Sequence, residues 1–415
     1  MYPEKMASLP GLLALLLYAS AAPAQSNPDL CKEVPAIAAE LTQISGLQLH
    51  HAVPCDFITK AKVNEFLNKR IQEETKPDEI RAEELTLKKF GLVPQDFDLA
   101  KTTVDLLTEQ AAAFYDYEGK EGGRKALFIT ESTSTEPQEP VLAHELSHAL
   151  ADQSFNLAKY IHQGRKSDDG STARLAVMEG QATWLMSEYL ARQNNQSLKT
   201  SPSLVAMMST VSESGGDQYP VFDKAPLYLR LSLVFPYTKG MLFQNAVIER
   251  DGNAAFAEVF RHPPLSTQQI IHPEKYFSNV KPTDPNLPEP PLHGYKGLVG
   301  GSLGELEHQI LLEQFAGKEM AAALAPHWRG CNFELRENKK VGSVVLLYAV
   351  EWDSEESARQ YFAAYREILG KKWKKLTMTS ETADTITGTG DDGGFELHRK
   401  GTVVTSVEGL GRGVD

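Results

Sequence analysis

The run His144-Glu145-Leu146-Ser147-His148 places two histidines four residues apart, with a glutamate directly after the first. On a helix, residues four apart lie one above the other on the same face. Two imidazoles in that arrangement can hold two corners of a zinc tetrahedron, at about 2.0–2.1 Å from the ion. Glu145 projects about 100° round the helix from His144, where a general base is needed for a water at the metal's open position. The run therefore predicts a hydrolytic Zn²⁺ site.

The residues on either side of this run favour a helix. Small and apolar residues fill most positions from Val141 to Leu150, and Pro140 stands where a first helical turn tolerates proline. The alternative is a chance match, because the chain has 11 histidines among its 415 residues. An acid that could supply a third ligand would favour the metal site over chance.

That third ligand is expected on the next long helix, predicted over residues 172–193 with a cap at residues 167–171. Glu179 lies there with apolar residues one turn away, where an ionised carboxylate is unfavourable unless it is paired or bound to a metal. The competing acids are Glu188 and the two capping aspartates, whose surroundings are less apolar. We predict that Glu179 completes the Zn²⁺ site with His144 and His148. A buried ion pair with an arginine is the alternative.

Three motifs resemble those of the gluzincin class of zinc metallopeptidases, which includes thermolysin and aminopeptidase N. They are the histidine run, Glu179-Gly180-Gln181-Ala182, and Pro236-Tyr237-Thr238-Lys239-Gly240, which is similar to the Tyr-x-Lys-Gly of aminopeptidase N-like enzymes. Exported bacterial gluzincins are the most similar members. The resemblance implies a zincin-like fold, peptide-bond hydrolysis with one Zn²⁺ ion, and Tyr237 as hydrogen-bond donor to the oxyanion. The alternative for Tyr237 is a packed residue at a helix start.

The chain also departs from the aminopeptidase pattern. Thirty residues separate His148 from Glu179, a wider gap than those enzymes use, and no Gly-x-Met-Glu-Asn run is present to bind a free substrate amine. Exopeptidase specificity is therefore not implied. His272 lies between the predicted end of a short helix and Pro273, and it resembles the histidine with which thermolysin stabilises the oxyanion. It is a second candidate for a catalytic contact, and a structural clamp is its alternative.

The composition indicates an exported globular protein. Residues 1–24 contain an apolar run and end in a small-x-small cleavage site, so we predict a Sec-type signal peptide and a secreted or periplasmic protein. No later run of 18 apolar residues exists, which predicts no stable membrane insertion. The formal net charge of −13 argues against a nucleic-acid partner. Cys31 and Cys55 could pair in an oxidising compartment and leave Cys331 buried and inert.

The expected fold class is α+β. Residues 25–110 are predicted to be a helical N-terminal region, and residues 111–281 a mainly helical, zincin-like metallopeptidase domain with a small edge sheet. Residues 282–302 read as a Pro/Gly-rich linker. Residues 303–415 are predicted to form a small α+β sandwich from strands and helices in the order strand-strand-helix-strand-strand.

Two further strands are expected in the N-terminal half. Residues 44–53 alternate apolar and polar side chains, which predicts a short strand. Residues 125–130 form the clearest strand before the histidine run, and a peptide could pair with it by strand addition. An ordinary interior strand is the alternative for residues 125–130.

Taken together, the sequence favours an exported zinc metallopeptidase that acts on a peptide or protein substrate. Two other functions are open at this point. The chain could be a zinc-binding scaffold on a peptidase fold without turnover, or a zinc hydrolase of non-peptide amides. The oligomeric state is not predicted.

Overall fold

The computed structural model describes residues 30–74, 76–110, 112–121, 123–131, 138–165, 167–211 and 219–411. The predicted signal peptide at residues 1–24 lies outside these residues. Within the described ranges, none of the helices combines the length and the apolar character that crossing a bilayer requires. The described chain contains many helices and two sheets, which agrees with the α+β class.

The N-terminal region is helical, as predicted, with helices α1 to α4 at Leu30–Ser45, Lys60–Glu74, Pro77–Phe90 and Leu99–Gln110. Gly91 ends α3 with a φ of 78°, a left-handed conformation that glycine adopts without strain. The strand predicted over residues 44–53 is wrong. Helix α1 continues to Ser45, because apolar residues at helical spacing, ending at Leu41 and Ile44, bury one of its faces.

A disulfide joins Cys31 in α1 to Cys55, the first residue of strand β1 (Cys55–Thr59). The predicted pairing is therefore confirmed. Cys331 is free and buried, also as predicted, and burial raises the pKa of its thiol. A thiol of that kind is a poor nucleophile, because the thiolate is the reactive form.

A three-stranded sheet follows, formed by β1, β2 (Ala113–Asp116) and β3 (Ala126–Glu131) in the order β1-β3-β2. Strand β1 runs parallel to β3, and β2 runs antiparallel to it. Because β3 is the central strand, its backbone is already paired on both sides. The prediction that a substrate pairs with residues 125–130 is therefore wrong, and the edge strands are β1 and β2.

Helices build most of the chain between the two sheets. Helices α5 to α13 lie at Gln138–Phe155, Leu157–Gly164, Asp168–Gln193, Pro202–Val211, Pro220–Lys224, Leu227–Asp251, Ala255–Arg261, Thr267–Ile271 and Pro273–Phe277. The histidine run lies on α5, as predicted. Ser167 caps α7, where its Oγ accepts a hydrogen bond from the N–H of Gly170.

Helices α7 and α10 cross at two glycines. A Cβ on Gly180 would lie 2.1 Å from the carbonyl carbon of Gly240, so only glycine allows the two backbones to approach this closely. One turn further along, Trp184 Nε1 donates to Asn245 Oδ1 at 3.0 Å, so the two helices run in the same direction.

The C-terminal region forms a seven-stranded antiparallel sheet in the order β4-β5-β6-β10-β9-β8-β7. Its strands are Lys296–Gly301, Trp328–Asn338, Ser343–Trp352, Thr377–Glu381, Thr385–Gly390, Gly393–Lys400 and Val403–Leu410. Helices α14 to α16 lie at Glu305–Ala316, Lys318–Leu324 and Glu355–Lys372. The four predicted strands are present, and β4, β7 and β8 were not predicted.

The predicted linker at 282–302 differs from an extended spacer. Its last residues form β4, an edge strand of the sheet. Leu287, Leu292 and Tyr295 pack against an apolar cluster of Val345, Leu347 and Val407 on β6 and β10. Prolines keep the segment extended, but its apolar side chains attach it to the sheet.

Candidate metal centre

Three side chains from two helices converge between α5 and α7. The Nε2 atoms of His144 and His148 lie 3.0 and 3.4 Å from Oε2 of Glu179. Each residue offers one nitrogen or oxygen atom that lies within 4.8 Å of the corresponding atoms of the other two residues. All three residues are buried. The structure therefore brings together the three residues that the sequence predicts as ligands.

These separations fit a tetrahedral ion. Ligand atoms at about 2.0–2.1 Å from Zn²⁺ lie about 3.4 Å from one another in a tetrahedron, close to the distances between Glu179 and the two imidazoles. The second oxygen of Glu179, Oε1, is buried without a hydrogen-bond partner in the described part of the chain. A buried carboxylate oxygen without a donor is unfavourable, and a cation would relieve that cost. The nitrogen and oxygen donors suit zinc.

The electrostatics of the three residues are mutually dependent. Burial lowers the pKa of His144 to about 4, so this imidazole stays neutral, as a ligand must. For Glu179, burial favours the protonated form, but His148 and His144 more than offset it and lower its pKa to about 2. Burial opposes the charged form of His148 too, and the Glu179 carboxylate raises its pKa above the usual value. The carboxylate is thus ionised and held between two imidazoles.

Glu145 lies next to this group on α5 and is 2% exposed. Its Oε2 accepts a hydrogen bond from the backbone N–H of Tyr115 in β2 at 2.7 Å. Burial raises the pKa of Glu145 to about 8, and the nearby charge of Glu179 adds to the effect. A carboxyl group with a raised pKa can both take up and release a proton near neutral pH.

Tyr237 lies one turn before Gly240 on α10. Its ring centroid is 6.0 Å from that of His144, and it packs against Ala113 and Val141. The residue is 2% exposed and lies in the middle of α10, not at a helix start. The contact between Gly180 and Gly240 places this turn of α10 beside the turn of α7 that carries Glu179.

His272 does not join this group. Its Nε2 lies 2.8 Å from Oε1 of Glu305, and its Nδ1 lies 3.6 Å from Oε1 of Glu274. The helix before it, α12, is bonded to the start of α7, where the N–H of Thr267 donates to Asp169. Ten helical residues, about 15 Å, separate Asp169 from Glu179. This position favours the structural role of His272, the alternative given above, over a catalytic contact at the metal centre.

Two acids that the sequence places in less apolar surroundings are also buried. Glu188 is 0% exposed, and Asp169 is 2% exposed. Both are satisfied by donors: Glu188 by Arg192, Ser197 and the N–H of Leu198, and Asp169 by the N–H of Thr267. Burial alone therefore does not distinguish a ligand from a structural carboxylate; the available donors do.

The sequence did not identify the role of Tyr115. The segment from Ala113 to Gly119 reads as turn-like, but its first half is strand β2. The turn begins at Asp116, whose carboxylate accepts hydrogen bonds from the N–H groups of Glu118, Gly119 and Glu121. The apolar and aromatic residues from Ala112 to Tyr115 could have indicated a short buried strand. Four residues are too few, however, to show the alternation of side chains that distinguishes a strand from a turn.

Comparison with known proteins informs the C-terminal region alone. A family described as a domain of unknown function (DUF8575) matches residues 297–414, which is 118 of the 415 residues. No curated protein and no solved structure matches the chain. The matched region contains the seven-stranded sheet except for Lys296, the first residue of β4, and it contains none of the residues of the candidate metal centre. A function for that centre must therefore be argued from its own geometry.

Proposed function

We propose that this protein is an exported zinc-dependent metallopeptidase with a zincin-like catalytic domain. One observation carries the proposal: a carboxylate, Glu145, lies beside a centre built from three protein ligands. Structural zinc sites have four protein ligands, whereas catalytic sites have three and keep a position open. Among the described residues, one group of three potential metal ligands is present, and it consists of His144, His148 and Glu179.

A bound Zn²⁺ ion would act as a Lewis acid on the peptide carbonyl and lower the pKa of a coordinated water to about 7. The chain's own residues supply the remaining steps. Glu145 takes up the proton released by the attacking water and passes it to the leaving amine. Tyr237 donates a hydrogen bond to the oxygen that becomes negative in the tetrahedral intermediate.

Strand β2 is the part of the three-stranded sheet that contacts Glu145. It is the edge strand next to α5, and its Tyr115 already contacts Glu145 through the main chain. All four residues of β2 are buried, and the N–H and C=O of Tyr115 already bond to Glu145 and to the N–H of Tyr117. A peptide substrate is therefore proposed from the resemblance of the motifs to those of metallopeptidases, since a substrate backbone could pair with this edge only after those bonds open.

The burial of the centre favours a second candidate, a zinc-binding scaffold without turnover. Glu145 and Tyr237 are each 2% exposed, and no ligand is more than 5% exposed. A peptide reaches Glu145 only if neighbouring segments move aside. The two candidates share the metal and differ in turnover.

A peptide-library digest separates them. Zinc-loaded wild-type protein is expected to cleave internal peptide bonds, and a chelator is expected to abolish cleavage. Glu145→Gln is the matched variant, because it keeps the shape of the side chain and removes the base. It should bind one zinc ion and lose hydrolysis by a factor of about 10²–10⁴. Zinc binding without cleavage in the wild type would favour the scaffold, and cleavage that persists in Glu145→Gln would exclude this base.

A further inference from the structure

Tyr115 connects the edge strand β2 to helix α5 at two points. Its backbone N–H donates to Oε2 of Glu145 at 2.7 Å, and its phenolic O–H donates to Oδ2 of Asp152 at 3.1 Å. Asp152 follows Glu145 by seven residues on α5. The two acceptors therefore share one face of the helix and lie about 10.5 Å apart along its axis. One residue thus sets where β2 lies along α5.

Asp152 is itself held firmly. It is 4% exposed, and Lys125 Nζ donates to its two oxygens at 2.9 and 2.8 Å. The N–H of Leu157, the first residue of α6, donates to Oδ1 at 2.9 Å. The partners of Asp152 are thus the phenol of Tyr115, a lysine next to β3 and the first residue of α6. The phenol of Tyr115 is therefore bonded to an acceptor that other donors fix in place.

We propose that Tyr115 is a positioning residue for the general base. The bond to Asp152 fixes β2 along α5, and β2 in turn holds the Glu145 carboxylate through a backbone N–H. That N–H binds one carboxylate oxygen and leaves the second for proton transfer. The catalytic part of this inference rests on the function proposed above.

A displacement of about 1 Å at a reacting group can lower a rate by 10²-fold. Tyr115→Phe removes the phenolic anchor and keeps the backbone N–H. Strand β2 keeps its pairing with β3 but loses its side-chain bond to α5, so it can shift along α5 and move the base with it. The phenol bonds to Asp152 and not to His144, His148 or Glu179, so zinc binding should not change.

The chain offers a matched control in Tyr365. Its phenol is also buried and donates to a buried carboxylate, Oε1 of Glu408, at 2.7 Å. This pair lies in the C-terminal sheet and helix α16, away from the metal centre. Tyr365→Phe therefore loses the same kind of hydrogen bond without touching β2 or α5.

The first readout is amide hydrogen exchange, followed by mass spectrometry on peptides that cover residues 113–116. Tyr115→Phe should speed exchange there by about tenfold, and Tyr365→Phe should not change it. Asp152→Asn keeps the shape of the acceptor but weakens it, and it should act in the same direction, which provides a second variant if Tyr115→Phe does not fold. Unchanged exchange in both variants would overturn the inference, whether or not the protein is an active enzyme.

The second readout is steady-state kinetics on a peptide that the wild type cleaves. Tyr115→Phe should lower kcat by about 10- to 100-fold with KM within about twofold and zinc content unchanged. Tyr365→Phe should keep the wild-type kcat. Faster exchange at β2 with an unaltered kcat would remove the catalytic role of Tyr115. A wild type that cleaves no peptide would instead refute the proposed function, and the exchange data would still decide whether Tyr115 holds the strand.

Discussion

Glu179 and Glu188 are both fully buried on α7, but their partners differ. Glu188 accepts hydrogen bonds from Arg192, Ser197 and Leu198. Glu179 contacts two imidazoles, and its Oε1 has no donor among the described residues. The spacing of the histidines and the apolar neighbours of Glu179 were sufficient to predict this convergence. The Glu188–Arg192 pair has the i,i+4 spacing that a helix brings together, but the donors from Ser197 and Leu198 were not predictable, because they depend on the path of the loop after α7.

At the same scale, Tyr237 gives a direct prediction. Tyr237→Phe should lower kcat by about 10²–10³-fold, the usual loss for one donor to an oxyanion, and leave zinc content unchanged. Steady-state kinetics on a peptide substrate measures the effect. Tyr160→Phe is the matched control, because the hydroxyl of Tyr160 is buried and has no hydrogen-bond partner in the described structure. Equal turnover in Tyr237→Phe and the wild type would remove Tyr237 from the mechanism.

At the scale of elements, helices with clear start and stop signals were predicted well. Helix α3 begins at a proline and ends before Gly91, and α16 begins after Ser354, whose side chain accepts from Ser357. Short or weakly patterned strands were predicted poorly. Strand β7, at Thr377–Glu381, is mostly exposed at a sheet edge, so it lacks the apolar alternation that marks a half-buried strand.

The crossing of α7 and α10 provides the prediction at this scale. Gly180→Ala should lower the free energy of unfolding by about 1–3 kcal/mol or more, because its Cβ would overlap the Gly240 backbone. The shift would also move Glu179, which is adjacent, and should weaken zinc binding. Denaturant unfolding and a zinc competition titration measure the two effects.

Gly370→Ala is the control for that substitution. Gly370 is also helical, and a Cβ there would lie 3.6 Å from Leu376 Cδ2, an ordinary contact. This variant should be neutral or more stable by up to about 1 kcal/mol, the usual gain from replacing a helical glycine. Equal effects of the two substitutions would show that the helix crossing does not depend on the absence of a Cβ.

At the scale of the whole molecule, a buried polar junction joins the helical half to the C-terminal half. Thr267 donates to Asp169 through its N–H, and Gln268 Nε2 donates to Glu305 Oε2 and to the carbonyl of Trp328. Such a junction was not predictable from the sequence, because its members are far apart along the chain. The predicted linker at 282–302 therefore does not separate two independent bodies.

This junction makes stability depend on pH. Burial raises the pKa of Glu307, at the start of α14, and the charge of Asp169 adds to the effect. Because the folded state favours the protonated carboxyl, its contribution to stability is full below the unfolded pKa of about 4.3 and is lost as the pH rises through the raised value. Glu307→Gln keeps an acceptor for the N–H of Gly304 and does not ionise. The Tm of this variant relative to wild type should therefore increase with pH.

Thermal unfolding from pH 5 to pH 9 measures this dependence. Glu319→Gln is the control, since Glu319 is an exposed glutamate in the first turn of the neighbouring helix α15. Its Tm difference from wild type should be constant across the range. A Tm difference for Glu307→Gln that stays constant or falls with pH would contradict an unfavourable buried charge at the junction.

Zinc K-edge X-ray absorption spectroscopy on the zinc-loaded protein would detect a three-ligand zinc centre beside Glu145. We expect one zinc ion per chain in a four-coordinate shell, with two imidazoles among nitrogen and oxygen ligands at about 2.0–2.1 Å. A shell with sulfur ligands, a shell without two imidazoles, or a protein that does not retain zinc would contradict it.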